Sequence, residues 1–502
     1  MKHHTLTNWT IYRWRYVLGY GALISLFIAA VTAAGVYAPG GLSQQEIDMI
    51  GVTNQVDPFK PTTYAVTNLP FHLLQSLSFL LLGATIFSAK LPAIILSIAV
   101  AISLFFLLRR WFRPNVAILS MLIMVATGQL IFLSQSFTPG ILYVLYTTLI
   151  LLFASLVVQR AKYQQLWKIA LGTTLGLSMF TPYFWYINLG LLAVALIHPH
   201  PRHFLIGRRY RKSWIPTIIV SLVIFGAAVY LGITQPTFGR AAFGIESLNF
   251  DLLANATLLL HTYFWVAPVV SYGQIMPIMD FASLALIVFG LIRTIRERST
   301  ARSYMIWIWL LLAIPLLLVR PDLTAIITVP LFILLAIGIE TLLREWYGLF
   351  PKNPYARGVG LVLMVGLISV MTLSGIDRYT HGYKHTPEAA EVFNTDLTLL
   401  NDMKLTPRGE SSALVIIDAH EEPLFRVYAE SVAGHSYLTL TTDLAQFPAL
   451  SSSDRSSTIV VSNAARARLQ QPNTSDWQLV SILTNDRSTD ADRLYIYKAR
   501  EK

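Results

Sequence analysis

Long apolar runs recur along the first three-quarters of this 502-residue chain, and the segments joining them are short and rich in Arg and Lys. A run of about 20 apolar residues crosses a bilayer as a helix, because a helix satisfies its own backbone where no water can. Charged residues make up 13% of the chain and hydrophobic residues 54%, against roughly 25% charged in soluble domains. The fold class expected is an α-helical polytopic membrane protein. The net charge of +11 is no nucleic-acid footprint, since the basic residues cluster at the ends of apolar runs as the positive-inside rule expects. The chain has no cysteine, which excludes disulfides, thiolate metal sites and cysteine nucleophiles. The first run, 17–36, is long and lacks a small-residue cleavage site, so it is expected to be a retained span.

Charge sets the expected topology. Lys2, Arg13 and Arg15 precede the first span and put the N-terminus in the cytoplasm. The run 91–108 ends in Arg109, Arg110 and Arg113, a second cytoplasmic cluster, so 37–90 is expected to be an external loop. Its apolar part, 69–88, carries Pro70, His72, Gln75 and Ser76 and reads as a helix lying on the external surface. Spans 117–135 and 140–158 follow. Residues 169–197 lie between two basic loops, so they are expected as two half-spans, 169–181 and 184–197, broken at Thr181-Pro182. Spans 214–233, 276–292, 304–320, 323–342 and 358–376 bring the count to about eleven transmembrane helices. The stretch 250–270, interrupted by Asp251, Asn255 and His261, reads as interfacial or partly embedded. The membrane part is thus expected over 1–376. The remainder, 377–502, has strand-like runs at Ala413–Asp418, Thr458–Ser462, Trp477–Leu483 and Leu494–Tyr497. Helical stretches near 387–402, 421–432 and 463–470 sit between them, the pattern of a small C-terminal α/β extracytoplasmic domain.

A few polar residues stand at the outer ends of these runs. Glu46 and Asp48 follow the first span; on an extended segment they share a side, and on a helix they diverge. Such carboxylates serve as a general base or hold a divalent cation, or they are ordinary solvated acids. Arg320 is placed to grip a phosphate with its fork, or to anchor at the interface paired with Asp322. Lys90, on the same external side, is placed to hold a lipid phosphate or to mark the interface. Asn68, His72, Gln75 and His261 are polar residues in apolar external segments, able to line a substrate site or to be satisfied locally. Tyr183 and Trp185 follow the break at Pro182; sugars stack on aromatics, and aromatics also form interfacial belts.

The arrangement resembles the C-type (GT-C) glycosyltransferases, in the branch of protein O-mannosyltransferases and aminoarabinose transferases. An acidic motif follows span one, here Gln45-Glu46 with Asp48 close by. An interfacial helix opens at Asn68-Leu69-Pro70 and runs through Leu82-Gly83. Lys90-Leu91-Pro92 begins span two, Arg320 is followed by Pro330, and a soluble domain ends the chain. The chain departs from that pattern twice. The turn Ser134-Gln135-Ser136-Phe137-Thr138-Pro139 holds no second acidic motif, and Leu69 stands where some relatives carry a phosphate-contacting Lys.

The resemblance implies transfer of a sugar from a polyprenyl-phosphate donor to an extracytoplasmic acceptor, at the plasma membrane. Glu46 would be the base, with Asp48 its helper or, with Glu46, the ligand of a divalent cation. Arg320, Lys90 and Lys60 would meet the phosphate. The remaining partners are membrane lipids, and no nucleic acid is expected. Two other classes stay open: a flippase for lipid-linked oligosaccharides, disfavoured because the spans carry almost no ionisable residue at mid-depth, and a non-catalytic envelope scaffold, favoured by the missing second acidic motif.

Overall fold

The computed structural model describes residues 14, 19–21, 23–29, 44–83, 86–136, 138–197, 202, 212–245, 250–264, 269–271, 274–276, 278–297, 300–383, 413–422, 425, 438–442, 458–468, 477–484 and 493–499. Among the described residues, six helices are long and apolar enough to cross a membrane, or seven if one bent pair is a single span. The chain is a multi-pass helical membrane protein. The other four expected spans are shorter or incomplete here. Of 17–36, the described residues 19–21 and 23–29 are helical and bury Leu23 and Phe27 against the bundle. The half-spans form helices Gln164–Ser178 and Phe184–Ile197, and 276–292 becomes Phe281–Arg296.

In chain order, α1 is Gln44–Asn54, α2 is Leu69–Leu82 and α3 is Ile86–Trp111. The expected surface helix 69–88 therefore stops six residues early. Gly83 caps it at φ 76°, a conformation glycine adopts without a side-chain penalty, and the next helix begins at Ile86 instead of residue 91. The expected straight span 117–135 is instead two helices, α4 (Pro114–Val125) and α5 (Gly128–Gln135), bent by 58°. At the bend, Gly375 of the last membrane helix lies so close to the Ala126 carbonyl that a Cβ there would collide with it.

Helix α6 (Gly140–Val158) and, late in the bundle, α14 (Ala325–Leu349) form its centre, each 78% buried over its apolar window. Between them come α7 (Gln164–Ser178), α8 (Phe184–Ile197), α9 (Ile215–Thr234), α10 (Pro236–Phe243), α11 (Leu252–Phe264), a short hairpin of β1 (Val269–Ser271) and β2 (Gln274–Met276), α12 (Phe281–Arg296) and α13 (Ala301–Val319). The bundle ends with α15 (Pro354–Asp377). The span containing α9 is only 11% buried and that containing α15 only 22%, and their exposed Leu222, Val223, Val362 and Val370 are apolar, as lipid contact requires. Helices α12 and α14 touch backbone to backbone: a Cβ on Gly290 would strike the Leu334 carbonyl, and one on Gly338 the Leu286 carbonyl. Small residues let membrane helices approach this closely, where dispersion replaces the hydrophobic drive that lipid cancels.

The tail contains a five-stranded sheet in the order β4-β3-β5-β7-β6. Strands β3 (Ala413–Ile416), β4 (Leu438–Thr441) and β5 (Thr458–Ser462) are parallel; β7 (Arg493–Ala499) pairs antiparallel with β5 and with β6 (Trp477–Thr484). Four of these strands match the expected runs, and β4 is an addition. Helix α16 (Asn463–Arg468) matches the expected stretch at 463–470, while 387–402 and most of 421–432 lie outside the described residues. Ile416, Ile459, Val461, Trp477, Tyr495 and Tyr497 form the core of this domain.

Candidate functional site

Helix termini leave unsatisfied backbone groups, so they gather polar side chains. At one end of the bundle several such termini surround a cavity of about 370 Å³. Its lining includes Gln45 and Met49 of α1, Asn68 before α2, Gln129 of α5, Thr138 and Tyr143 at the start of α6, Tyr183 before α8, Gly244 after α10, and Arg320 and Asp322 between α13 and α14.

Arg320 caps the C-terminus of α13. Its Nε donates to Asp322 Oδ1 at 2.8 Å and its Nη2 to Oδ2 at 2.7 Å, a forked pair. Its Nη1 donates to the Tyr183 hydroxyl at 2.9 Å. Asp322 holds the guanidinium pKa still further above its ordinary value, so this cation never loses its charge. Tyr183 is placed by backbone strain. It sits at φ 67° directly after Pro182, is 2% exposed, and donates to the Gly244 carbonyl at 3.2 Å. Gly244 itself has φ 68°, and a Cβ on it would collide with the Tyr183 ring.

Two amides complete the polar lining. Asn68 has φ 55°, and its backbone N–H donates to the Phe180 carbonyl at 2.7 Å, tying the start of α2 to the break between α7 and α8. Its Oδ1 is buried without a hydrogen-bond partner among the described residues, and so are both amide atoms of Gln129. The α4–α5 bend brings Gln129 to the cavity. Its sequence signal was the polar break Thr127-Gly128-Gln129 inside an apolar run.

The other candidates are distributed differently. The acidic segment is helical, so Glu46 and Asp48 lie about 200° apart around the axis. Glu46 is 4% exposed on the buried stripe Glu46-Ile50-Thr53, in electrostatic reach of Lys90 and Tyr379; Asp48 is exposed. The two carboxylates do not converge on one ion, and among the described residues no three His, Asp or Glu side chains are placed to hold a metal. A Glu46–Asp48 cation site therefore does not fit. His72 and Gln75 lie in a network behind the cavity: Thr53 donates to Gln75 Oε1 at 2.5 Å, and Gln75 Nε2 donates to the Ala89 carbonyl at 3.0 Å. The Thr53 hydroxyl also lies 2.7 Å from His72 Nδ1 and 3.0 Å from the Met49 carbonyl. Burial pushes the His72 pKa down to about 4. Trp185 donates to the Met179 carbonyl at 3.0 Å and packs against Phe225 and Phe243. Lys60 forms an exposed ion pair with Asp57 at 3.0 Å, and His261 is exposed. Asn68, Tyr183 and Arg320 are thus brought together at the cavity, whereas Glu46, Asp48, Lys60, Lys90, His72, Gln75, Trp185 and His261 are not among its lining.

A second cavity of about 390 Å³ lies between α11, α12 and α15. It is mostly apolar, with Tyr263, Asp280, Ser374 and Arg378 as its polar members.

The sequence profile of the dolichyl-phosphate-mannose-protein mannosyltransferase family matches residues 69–231, from the start of α2 into α9. No curated protein matches the chain by sequence. Among solved structures, it is similar to ArnT from Cupriavidus metallidurans in the apo state, with a TM-score of 0.54, 14% identity, and 95% of this chain and 98% of that one covered. The same protein bound to undecaprenyl phosphate gives a TM-score of 0.55 at 14% identity, with 98% of each chain covered. The oligosaccharyltransferase of Archaeoglobus fulgidus, tethered with an acceptor peptide, gives 0.48 at 13% identity over 81% of this chain. This chain spans 63% of that longer protein. The chain shares the fold of ArnT.

Proposed function

We propose that this protein is a glycosyltransferase that moves a sugar from a polyprenyl-phosphate carrier to an acceptor at the external face of the plasma membrane. The N-terminus is cytoplasmic, and residues 377–502 form an extracytoplasmic domain. The observation that carries this reading is the cavity that pairs one guanidinium, Arg320, with one carboxylate, Asp322, at the end of a GT-C bundle.

The carrier's prenyl tail keeps its phosphate at the membrane surface, where the Arg320 fork suits a phosphate as well as a carboxylate. Phosphate taking the guanidinium releases Asp322. The released carboxylate accepts the proton of the acceptor hydroxyl as that oxygen attacks the anomeric carbon. The bond from the anomeric carbon to the phosphate oxygen breaks, and polyprenyl phosphate leaves with the electron pair, its charge held by Arg320. Asp322 thus takes the role that the sequence pattern gave to Glu46, which lies one residue beyond the cavity-lining Gln45 and balances Lys90 in the wall.

A scaffold without activity is the second reading, and the resting Arg320–Asp322 pair favours it, because it fills the phosphate fork. Transfer in membranes supplied with labelled polyprenyl-phosphate sugars separates the two. Parent activity that Asp322→Asn loses and Glu46→Gln largely keeps supports the transferase reading and its base. Loss with Glu46→Gln alone returns the base to Glu46, and no transfer from any donor by the folded parent supports the scaffold.

A further inference from the structure

Gln129 is 2% exposed and Asn68 7% exposed, and both line the cavity. The protein leaves their side chains unsatisfied: Gln129 has no partner for its Nε2 donor or its Oε1 acceptor, and Asn68 has none for its Oδ1, among the described residues. Buried polar groups are nearly always paired, so an unpaired amide on a cavity wall marks where a ligand supplies the hydrogen bonds.

The chemistry of those bonds restricts the ligand. An amide offers one donor and one acceptor side by side. Two neighbouring sugar hydroxyls, each able to donate and accept, satisfy both at once. An ammonium group would leave Gln129 Nε2 unmet, and a carboxylate would leave Oε1 unmet. The rest of the described lining points the same way. Its only charged side chains are Arg320 and Asp322, bound to each other, and its further polar members include the Thr67, Thr138 and Tyr143 hydroxyls and the Gln45 amide. The backbone sets both residues at the cavity, Asn68 through its bond to Phe180 and Gln129 through the α4–α5 bend.

We infer that Gln129 and Asn68 are the sugar-binding residues of this cavity, and that they meet two neighbouring hydroxyls of the donor sugar. The inference rests on the glycosyl-transfer reading above. The phosphate end of the donor belongs to Arg320 and the sugar end to the two amides, so carrier and sugar recognition are separable.

Binding of short-chain prenyl phosphates to the full-length protein in lipid nanodiscs tests this without requiring transfer. The readout is the ratio of affinities for a glycosylated and a bare prenyl phosphate. In the parent, a hexose should raise affinity about tenfold, the worth of one to two net hydrogen bonds, while its dideoxy analogue lacking two neighbouring hydroxyls should add nothing. In Gln129→Leu the ratio should fall to about one. Gln129→Glu, which keeps the shape but removes the donor, should also lower the ratio and serves if the Leu variant does not fold. A ratio that survives both substitutions, or a dideoxy sugar bound by the parent as tightly as the hexose, overturns the inference while leaving the transfer reading intact. Failure of the folded parent to bind bare prenyl phosphate overturns the transfer reading itself, and the sugar assignment with it.

Discussion

Asp322 and Arg320 hold each other in the resting cavity, and removing either one exposes the other's role. With Asp322→Ala the guanidinium fork opens to phosphate, so polyprenyl phosphate should bind about tenfold tighter, the gain of roughly one charge-assisted bond. Transfer should nevertheless fall by at least about a hundredfold, the usual worth of a general base. Tighter binding with lost transfer, measured on the same nanodisc preparation, is expected; unchanged transfer would remove Asp322 from the chemistry. His72 makes a prediction in pH. Burial holds its folded pKa near 4, below its ordinary 6.5, so the folded state binds fewer protons than the unfolded one. The associated stability is present above pH 6.5 and is lost as pH falls toward 4, by up to about 3 kcal/mol. The unfolding temperature of the parent should drop between pH 7 and 4.5, and His72→Gln should flatten that drop; parallel profiles would contradict the assignment. At this scale the sequence showed part of the site. Asn68, Tyr183 and Arg320 stood out as polar or aromatic residues at the edges of apolar runs. Gln129 did not, because it lies within what reads as one straight span, and a 58° bend is invisible to apolar periodicity. The geometry of Glu46 and Asp48 was not legible, because it depends on whether their segment is extended or helical.

Elements place these residues through close backbone approach. Gly244 is required twice, by its positive φ and by the Tyr183 ring lying against it. Gly244→Ala should cost about 1–2 kcal/mol in backbone strain. It should also displace the Tyr183 hydroxyl from Arg320, weakening prenyl-phosphate binding several-fold while the bundle still folds. Normal affinity in that variant would show that Tyr183 does not orient the guanidinium. Gly290 on α12 differs, since it sets how closely two helices meet. Gly290→Leu should separate α12 from α14 and sharply lower the yield of folded protein, an effect read by size-exclusion chromatography in detergent, whereas Leu222→Ala on the lipid-facing side of α9 should be nearly silent. The break at Thr181-Pro182 was legible because proline and the flanking basic loops both demanded it. Strand β4 was passed over, although Leu438-Thr439-Leu440-Thr441 alternates cleanly, because four residues are too few for alternation to stand above chance.

Across the whole molecule, charge and hydropathy were enough for the membrane class, because lipid leaves the backbone so few options. They could not supply the cavity, whose walls come from α1, α2, α5, α6, α8, α10 and the α13–α14 turn, residues 45 to 325. Only packing brings such distant segments together. The account's central claim is that this cavity receives the lipid carrier's phosphate. Crosslinking with a polyprenyl phosphate bearing a photoreactive group next to the phosphate, followed by peptide mapping, tests it most directly. The account predicts labelling around Asn68, Tyr183 and Arg320, and loss of that labelling in Arg320→Ala. Labelling confined to the second cavity, around Tyr263, Asp280 and Arg378, would contradict it.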